Sequence, residues 1–67
     1  MTLEEAKQVT VAGCRVVCGG ITYLCVDSLE LRYDRKQRRW ILYLILLDRN
    51  RNSVTRALAE NCEIIPL

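Results

Sequence analysis

An uninterrupted run of eight apolar residues, Trp40 to Leu47, is the feature that most constrains how this chain can fold. Arginines precede the run, and Asp48 and Arg49 follow it. As a helix the run would extend about 12 Å, well short of the ~30 Å hydrocarbon core of a bilayer, so it does not predict a membrane anchor. A short apolar run that contains Trp, Tyr and Ile and is bounded by turn residues is typical of a central strand buried on both faces.

The chain has 67 residues, of which 51% are apolar, and this combination predicts one small folded domain over residues 1–67. Within it we distinguish an N-terminal segment, residues 1–8, from a β-barrel core, residues 9–66. The net charge of +2 is too small to predict a polyanionic partner by itself. The first residues are polar and acidic, unlike a secretory signal, so the sequence predicts a cytoplasmic protein whose four cysteines are free thiols.

The N-terminal segment carries a helix start signal. Thr2 and Glu5 have the spacing of a capping box, and acidic residues in the first turn suit the helix dipole. A helix over residues 2–8 would have only about two turns, which is marginal unless it packs against the domain. The sequence therefore leaves open a short helix and a disordered terminus.

β-branched residues are frequent over residues 9–18, which predicts a first strand. Gly19 and Gly20 follow, and two glycines supply the positive φ that both central positions of a type I′ hairpin turn require. The predicted pairs across this hairpin are Cys18 with Ile21, Val16 with Tyr23 and Cys14 with Cys25.

Apolar and charged residues alternate from Leu29 to Asp34, which predicts that the second strand continues this far. A four-residue loop, 35–38, then leads into the apolar run. The predicted pairs are Tyr33 with Trp40, Leu31 with Leu42, Leu29 with Leu44, and Asp34 with Arg39 as an ion pair. The same register would place Asp27 on the core face, so we expect a bulge or bend near residues 26–28.

The remainder of the chain predicts a turn over 48–53, a strand over 53–58, a 3₁₀-like turn over 59–61 and a last strand over 62–65, closed by Pro66. Five strands in this order predict an all-β fold, a small antiparallel barrel that is partly open.

With these elements the chain resembles SH3-like barrels, including the Tudor and KOW-type modules. The likeness is carried by the opening Gly-Cys-Arg-Val-Val at 13–17, the bent strand 23–34, and the ending Ala-Leu-Ala-Glu-Asn-Cys-Glu-Ile-Ile at 57–65. The resemblance implies a fold and no particular ligand. An SH3 groove or a Tudor cage uses clustered surface aromatics, whereas the aromatic residues here all fall within predicted strands: Tyr23, Tyr33, Trp40 and Tyr43.

The residue types present predict a protein that is not an enzyme. The chain has no histidine, which removes Ser-His, Cys-His and His-metal arrangements. Cys14 and Cys18 would lie ~13 Å apart in a strand, too far to share a zinc ion, so we expect neither a metal nor another cofactor. A disulfide between Cys14 and Cys25 and two reduced thiols both fit the predicted register.

The first candidate functional surface is the basic run, which consists of Arg35, Lys36, Arg38 and Arg39. Beside Trp40 these side chains fit nucleic-acid phosphates. The alternative is a solvated loop that keeps an apolar strand from aggregating. Loop 48–53, which contains two further arginines, is expected at the opposite end of the central strand.

The second candidate surface is the face of the central strand opposite the core. If Trp40, Leu42, Leu44 and Leu46 face the core, the opposite face consists of Ile41, Tyr43, Ile45 and Leu47. We expect this face to be buried, either under the N-terminal segment or against another chain. The sequence therefore predicts a non-enzymatic interaction module that docks on a protein partner or self-associates, with no evident small-molecule substrate. A nucleic-acid-binding barrel that uses residues 35–39 is the alternative.

Overall fold

The structure, a computed structural model, describes residues 1–66, which form one α-helix and six strands. In chain order these are α1 (Leu3–Ala12), β1 (Arg15–Cys18), β2 (Ile21–Tyr23), β3 (Cys25–Asp34), β4 (Arg39–Leu47), β5 (Val54–Leu58), a 3₁₀ turn (Ala59–Asn61) and β6 (Cys62–Ile65). The strands make two antiparallel three-stranded sheets, with strand orders β2-β1-β6 and β3-β4-β5, and they do not close into a barrel. Over the same residues, no helix has the length and apolar content to cross a bilayer.

Helix α1 begins as the sequence predicts. The Thr2 hydroxyl accepts a hydrogen bond from the Glu5 N–H at 3.2 Å, and the Thr2 N–H donates to the Glu5 carboxylate at 2.9 Å. The helix does not end at residue 8, however, but continues to Ala12, and Gly13 caps it with φ +72. The prediction of a strand from Val9 is therefore wrong. Burial of one helix face overrides the β propensity of its Val and Thr residues, because Ala6 is fully buried in the core and Val9 packs against it.

The first hairpin has the predicted turn, with φ +59 at Gly19 and +79 at Gly20. Its pairs Val16–Tyr23 and Cys18–Ile21 are confirmed. The predicted pair Cys14–Cys25 is wrong, because β1 starts only at Arg15, while Cys25 belongs to β3 and pairs with Leu47.

A corner at Leu24 divides the predicted second strand into β2 and β3, which gives six strands rather than five. The Leu24 N–H donates to the Leu47 carbonyl at 2.9 Å, so the corner is fixed to the end of β4. The chain thereby passes from one sheet to the other.

The β3–β4 hairpin has the predicted register, with Tyr33 opposite Trp40, and the other three predicted pairs also in place. The expected bulge lies between Val26 and Ser28, and Asp27 is exposed there. The predicted Asp34–Arg39 ion pair does not form. One Asp34 carboxylate oxygen instead accepts the loop N–H groups of Lys36 and Gln37, at 2.9 and 3.2 Å.

The core lies where α1, both sheets and the 3₁₀ turn meet. Its buried members are Ala6, Val16, Val26, Leu44, Leu46 and Ala59. On the β3–β4 hairpin, the buried residues all belong to the half remote from the loop. The loop end of the hairpin extends past the core, and Trp40, which the sequence predicts to be buried, is 64% exposed.

Candidate functional site

The predicted interface on β4, which we call the outer face, consists of Ile41, Tyr43, Ile45 and Leu47. All four side chains are half-buried. Helix α1 does not cover them, because its buried residue Ala6 packs with Leu44 and Leu46, which point to the other side of β4. The alternative in which the N-terminal segment covers the outer face is therefore wrong.

Side chains from the neighbouring strands cover part of the outer face. Glu30 of β3 lies directly opposite Tyr43, and Arg56 of β5 lies opposite Ile45. A guanidinium nitrogen of Arg56 lies 3.1 Å from a Glu30 carboxylate oxygen, so this ion pair spans β4. The guanidinium carbon also lies 4.7 Å from the centroid of the Tyr43 ring, within the range of a cation–π contact. The chain thus supplies a polar cover for its own apolar strand.

A second apolar surface lies on the core side of the sheet, beyond the end of the core. Leu31, Tyr33 and Trp40 share this face on adjacent strands, and they are 47%, 43% and 64% exposed. The two aromatic rings meet edge to face, with their centroids 5.4 Å apart. The prediction that Tyr33 and Trp40 lie within strands and opposite each other is confirmed, whereas the prediction that Trp40 belongs to the core is wrong.

The basic loop adjoins this aromatic pair. Arg35, Lys36, Arg38 and Arg39 are all exposed, and the Arg35 guanidinium carbon lies 5.8 Å from the centroid of the Tyr33 ring. The loop is held by the two hydrogen bonds to Asp34 and by a positive φ of 54 at Arg38. Because the Asp34 carboxylate bonds to the loop backbone, its negative charge faces the backbone amides rather than the arginine heads.

Charge is distributed unevenly along the chain. Residues 32–39 contain five basic side chains and one acidic side chain, a net charge of +4, whereas the whole chain carries +2 and all other residues together carry −2. We call the combination of this basic segment with Leu31, Tyr33 and Trp40 the hairpin end. Loop 48–53 follows β4 at its other end, as predicted, so its arginines do not add to this charge.

A shallow groove runs beside Trp40, with a volume of about 100 Å³. Trp40 and Leu42 line one side of it and Leu58 and Ala59 the other, and Arg39 and Glu60 also line it. A wider hollow of about 290 Å³ lies against Arg32 and Arg35 of the basic segment and also against Ile41 and Tyr43 of the outer face. The hairpin end therefore offers concave surfaces as well as exposed rings.

The cysteines lie apart from the hairpin end. All four are thiols, and Cys18 of β1 lies directly opposite Cys62 of β6. The Cys62 thiol donates to the Leu58 carbonyl at 3.3 Å, and burial together with the neighbouring Cys18 raises the pKa of Cys62 to about 12. Nowhere in residues 1–66 do three His, Cys, Asp or Glu side chains cluster as a metal site would require.

Comparisons with protein-family models, with curated proteins and with solved structures found no match to this chain.

Proposed function

We propose that this protein is a small non-enzymatic module that binds nucleic acid through its hairpin end. The observation that carries the proposal is the exposed Tyr33–Trp40 ring pair placed directly beside the most basic segment of the chain. Basic side chains bind phosphates without regard to sequence, and exposed aromatic rings stack on bases. Between the two alternatives that the sequence leaves open for the basic loop, this juxtaposition favours nucleic acid.

The alternative role of the loop, to keep an apolar strand soluble, accounts for the arginines but not for the rings. A large aromatic side chain that is 64% exposed promotes association rather than solubility. The distribution of charge supports the same proposal, because the rest of the chain is net negative and would repel a polyanion. A polyanion is therefore directed to one end of the molecule.

For the architecture we propose an SH3-like barrel that is partly open. Two observations support it: the first strand, β1, pairs with the last, β6, and a 3₁₀ turn at Ala59–Asn61 comes immediately before β6. The corner at Leu24 joins the two sheets, and it lies in the segment 23–34, the bent strand by which the chain resembles SH3-like barrels.

The proposal is tested by fluorescence anisotropy with a labelled mixed-sequence oligonucleotide over a series of salt concentrations. The hairpin variant replaces four residues by Ser: Arg35, Lys36, Arg38 and Arg39. Each phosphate contact adds about −0.7 to −0.9 to the slope of log K against log salt, so loss of four contacts flattens the slope by about 3.

The matched control removes the same four charges elsewhere, by replacing Lys7, Arg15, Arg49 and Arg51 with Ser. All four are exposed in the structure. We expect this control to bind within about threefold of the wild type, because the hairpin end is intact. No binding by the wild-type protein at low salt, or an equal loss in both variants, would contradict the proposal.

A second candidate function is the one that the sequence favours, a protein partner or a second copy bound at the outer face of β4. The observation in its favour is that Ile41, Tyr43, Ile45 and Leu47 form a continuous apolar row which the Glu30–Arg56 pair covers only in part. For self-association the test is the replacement of Tyr43 and Ile45 together by Lys, followed by light scattering. A folded species of lower mass than the wild type supports an interface there, and an unchanged mass together with an unchanged melting temperature contradicts it.

A further inference from the structure

The groove beside Trp40 exists because β5 is shorter than β4. The β4–β5 ladder begins at the pair Tyr43–Leu58 and continues toward Leu47, so residues 39–42 of β4 have no strand partner on that side. After Leu58 the chain turns away into the 3₁₀ turn, and the turn forms the opposite wall of the groove. The groove is thus lined by apolar side chains together with Arg39 and Glu60, and it borders the edge of β4 that has no strand partner.

The Tyr33 ring of β3 packs against one side of the Trp40 ring. The two rings meet at an angle of 66°, and Trp40 also lines the groove on its β5 side. The tryptophan is therefore supported on one side and open on the other. An open aromatic face beside unpaired backbone donors and acceptors suits a flat ligand with hydrogen-bonding groups at its edge.

We propose that the groove beside Trp40 binds one unstacked base of a single-stranded nucleic acid whose phosphates lie on the basic loop. The inference rests on the nucleic-acid binding proposed above and deepens it by naming the form of the ligand. Arg39 belongs both to the basic segment and to the groove lining, so a phosphate at the loop is adjacent to a base in the groove. A base inside a duplex cannot reach this position, because its faces are covered by neighbouring base pairs.

Glu60 lines the groove, and its carboxylate gives the site a preference between the pyrimidine bases. A carboxylate only accepts hydrogen bonds, and cytosine presents an exocyclic amine as donor where thymine presents a carbonyl. Among pyrimidines, the groove therefore favours cytosine over thymine. The expected ratio of affinities is on the order of tenfold, the scale of one well-placed contact to a base edge.

The experiment uses the 67-residue chain and the intrinsic fluorescence of Trp40, which is the single tryptophan of the sequence. The probes are unlabelled single strands of dC and of dT of equal length, an RNA strand of the same cytosine sequence, and a mixed-sequence duplex of matched phosphate number. We expect the single strands to quench Trp40 and the duplex to leave its fluorescence unchanged. Equal quenching by the DNA and RNA strands would show that the site reads bases and not the sugar.

Two variants and one control accompany the titration. Because Trp40→Ala has no tryptophan, its binding is measured by the anisotropy of fluorescently labelled copies of the same strands and duplex. It is expected to bind single strands tenfold or more weakly than the wild type and to bind the duplex equally well. Ile21→Ala removes a comparably exposed apolar side chain from the β1–β2 hairpin and should bind as the wild type does. Glu60→Gln, which adds a donor to the side chain, should bring the dC and dT affinities together.

The outcomes separate this inference from the proposed function. Equal binding of single strand and duplex with unchanged Trp40 fluorescence would overturn the base site and leave the phosphate-binding loop in place. Absence of any binding at low salt would overturn both. A poly-glutamate peptide that quenches Trp40 and competes equally with dC would overturn the base site as well, by assigning the groove to an acidic protein segment.

Discussion

Arg56 makes two of the contacts that cover the outer face of β4. It bridges to Glu30 across the strand and lies over the Tyr43 ring, yet both charged side chains remain in contact with water. Ion pairs in such positions contribute about 0.2–1 kcal/mol, and an exposed cation–π contact contributes about 0.5–1 kcal/mol. The two contacts together are therefore a weak cover, of about 1 kcal/mol.

We expect Arg56→Ala to lower the free energy of unfolding by about 1 kcal/mol, because both contacts are lost together. Double-mutant cycles by urea unfolding, with Glu30→Gln and with Tyr43→Leu, separate the two contacts. High salt should reduce the Glu30 coupling, since its partners are exposed. Zero coupling in both cycles would show that the outer face is uncovered in solution.

Cys62, together with its neighbour Cys18, makes the stability of the protein depend on pH. Burial and Cys18 raise its pKa from 9.0 to about 12, so the folded protein holds this proton more tightly than the unfolded chain does. Its contribution to stability is therefore complete below pH 9 and is lost as the pH rises from 9 to 12. We expect stability to fall more steeply over this range in the wild type than in Cys62→Ala. The comparison cancels the lysines and tyrosines that both proteins share, and parallel curves would contradict the prediction.

At the scale of elements, the two hairpins could be predicted from the sequence and the helix end could not. Gly19-Gly20 and the alternation from Leu29 to Asp34 are local signals, and each specifies a register without reference to the rest of the chain. The end of α1 depends on a contact that is distant in sequence. The β-branched residues between Val9 and Ala12 disfavour a helix. This segment is nevertheless helical, because Val9 packs against the core.

The cap at Gly13 is where this balance can be tested. Gly13 has φ +72, and apart from its neighbours along the chain no atom lies within 4 Å of the position that a Cβ would take, so a side chain there meets strain but no tertiary clash. We expect Gly13→Ala to reduce stability by about 1–2 kcal/mol, the cost of a left-handed conformation for a residue with a Cβ. Gly13→Asn is the matched control and should cost less, because Asn adopts this conformation more readily. Equal stability of the Ala variant and the wild type would mean that α1 ends elsewhere in solution.

For the hairpin end, the sequence predicts the pairing of the residues but not their exposure to solvent. The residues, their pairing and their shared face all follow from alternation, and the basic loop is visible in the sequence itself. What alternation cannot give is how far the core extends along the sheet, because this depends on where α1 and the other sheet are placed. Alternation therefore predicts Trp40 to be in the core, whereas its side chain is exposed at the hairpin end.

For the whole molecule, the small size of the core sets the limits of stability. Within residues 1–66 only six residues are buried, and a chain of about this length buries roughly 60% of the surface that its unfolded form exposes. Its stability should therefore lie near the lower end of the 5–15 kcal/mol typical of domains. Single substitutions in the core and at the hairpin end should consequently have very different effects.

The final prediction compares Leu44→Ala with Trp40→Ala, two large apolar side chains on the same face of β4. Leu44 is fully buried, so its truncation should cost about 2–5 kcal/mol and lower the melting temperature by at least about 10 °C. Trp40 loses little more than its edge contact with Tyr33, which contributes about 0.5–1.5 kcal/mol. Thermal unfolding followed by circular dichroism measures both. If Trp40→Ala proved as costly as Leu44→Ala, the hairpin end would be packed against other protein in solution, and its rings would not be free to stack on a base.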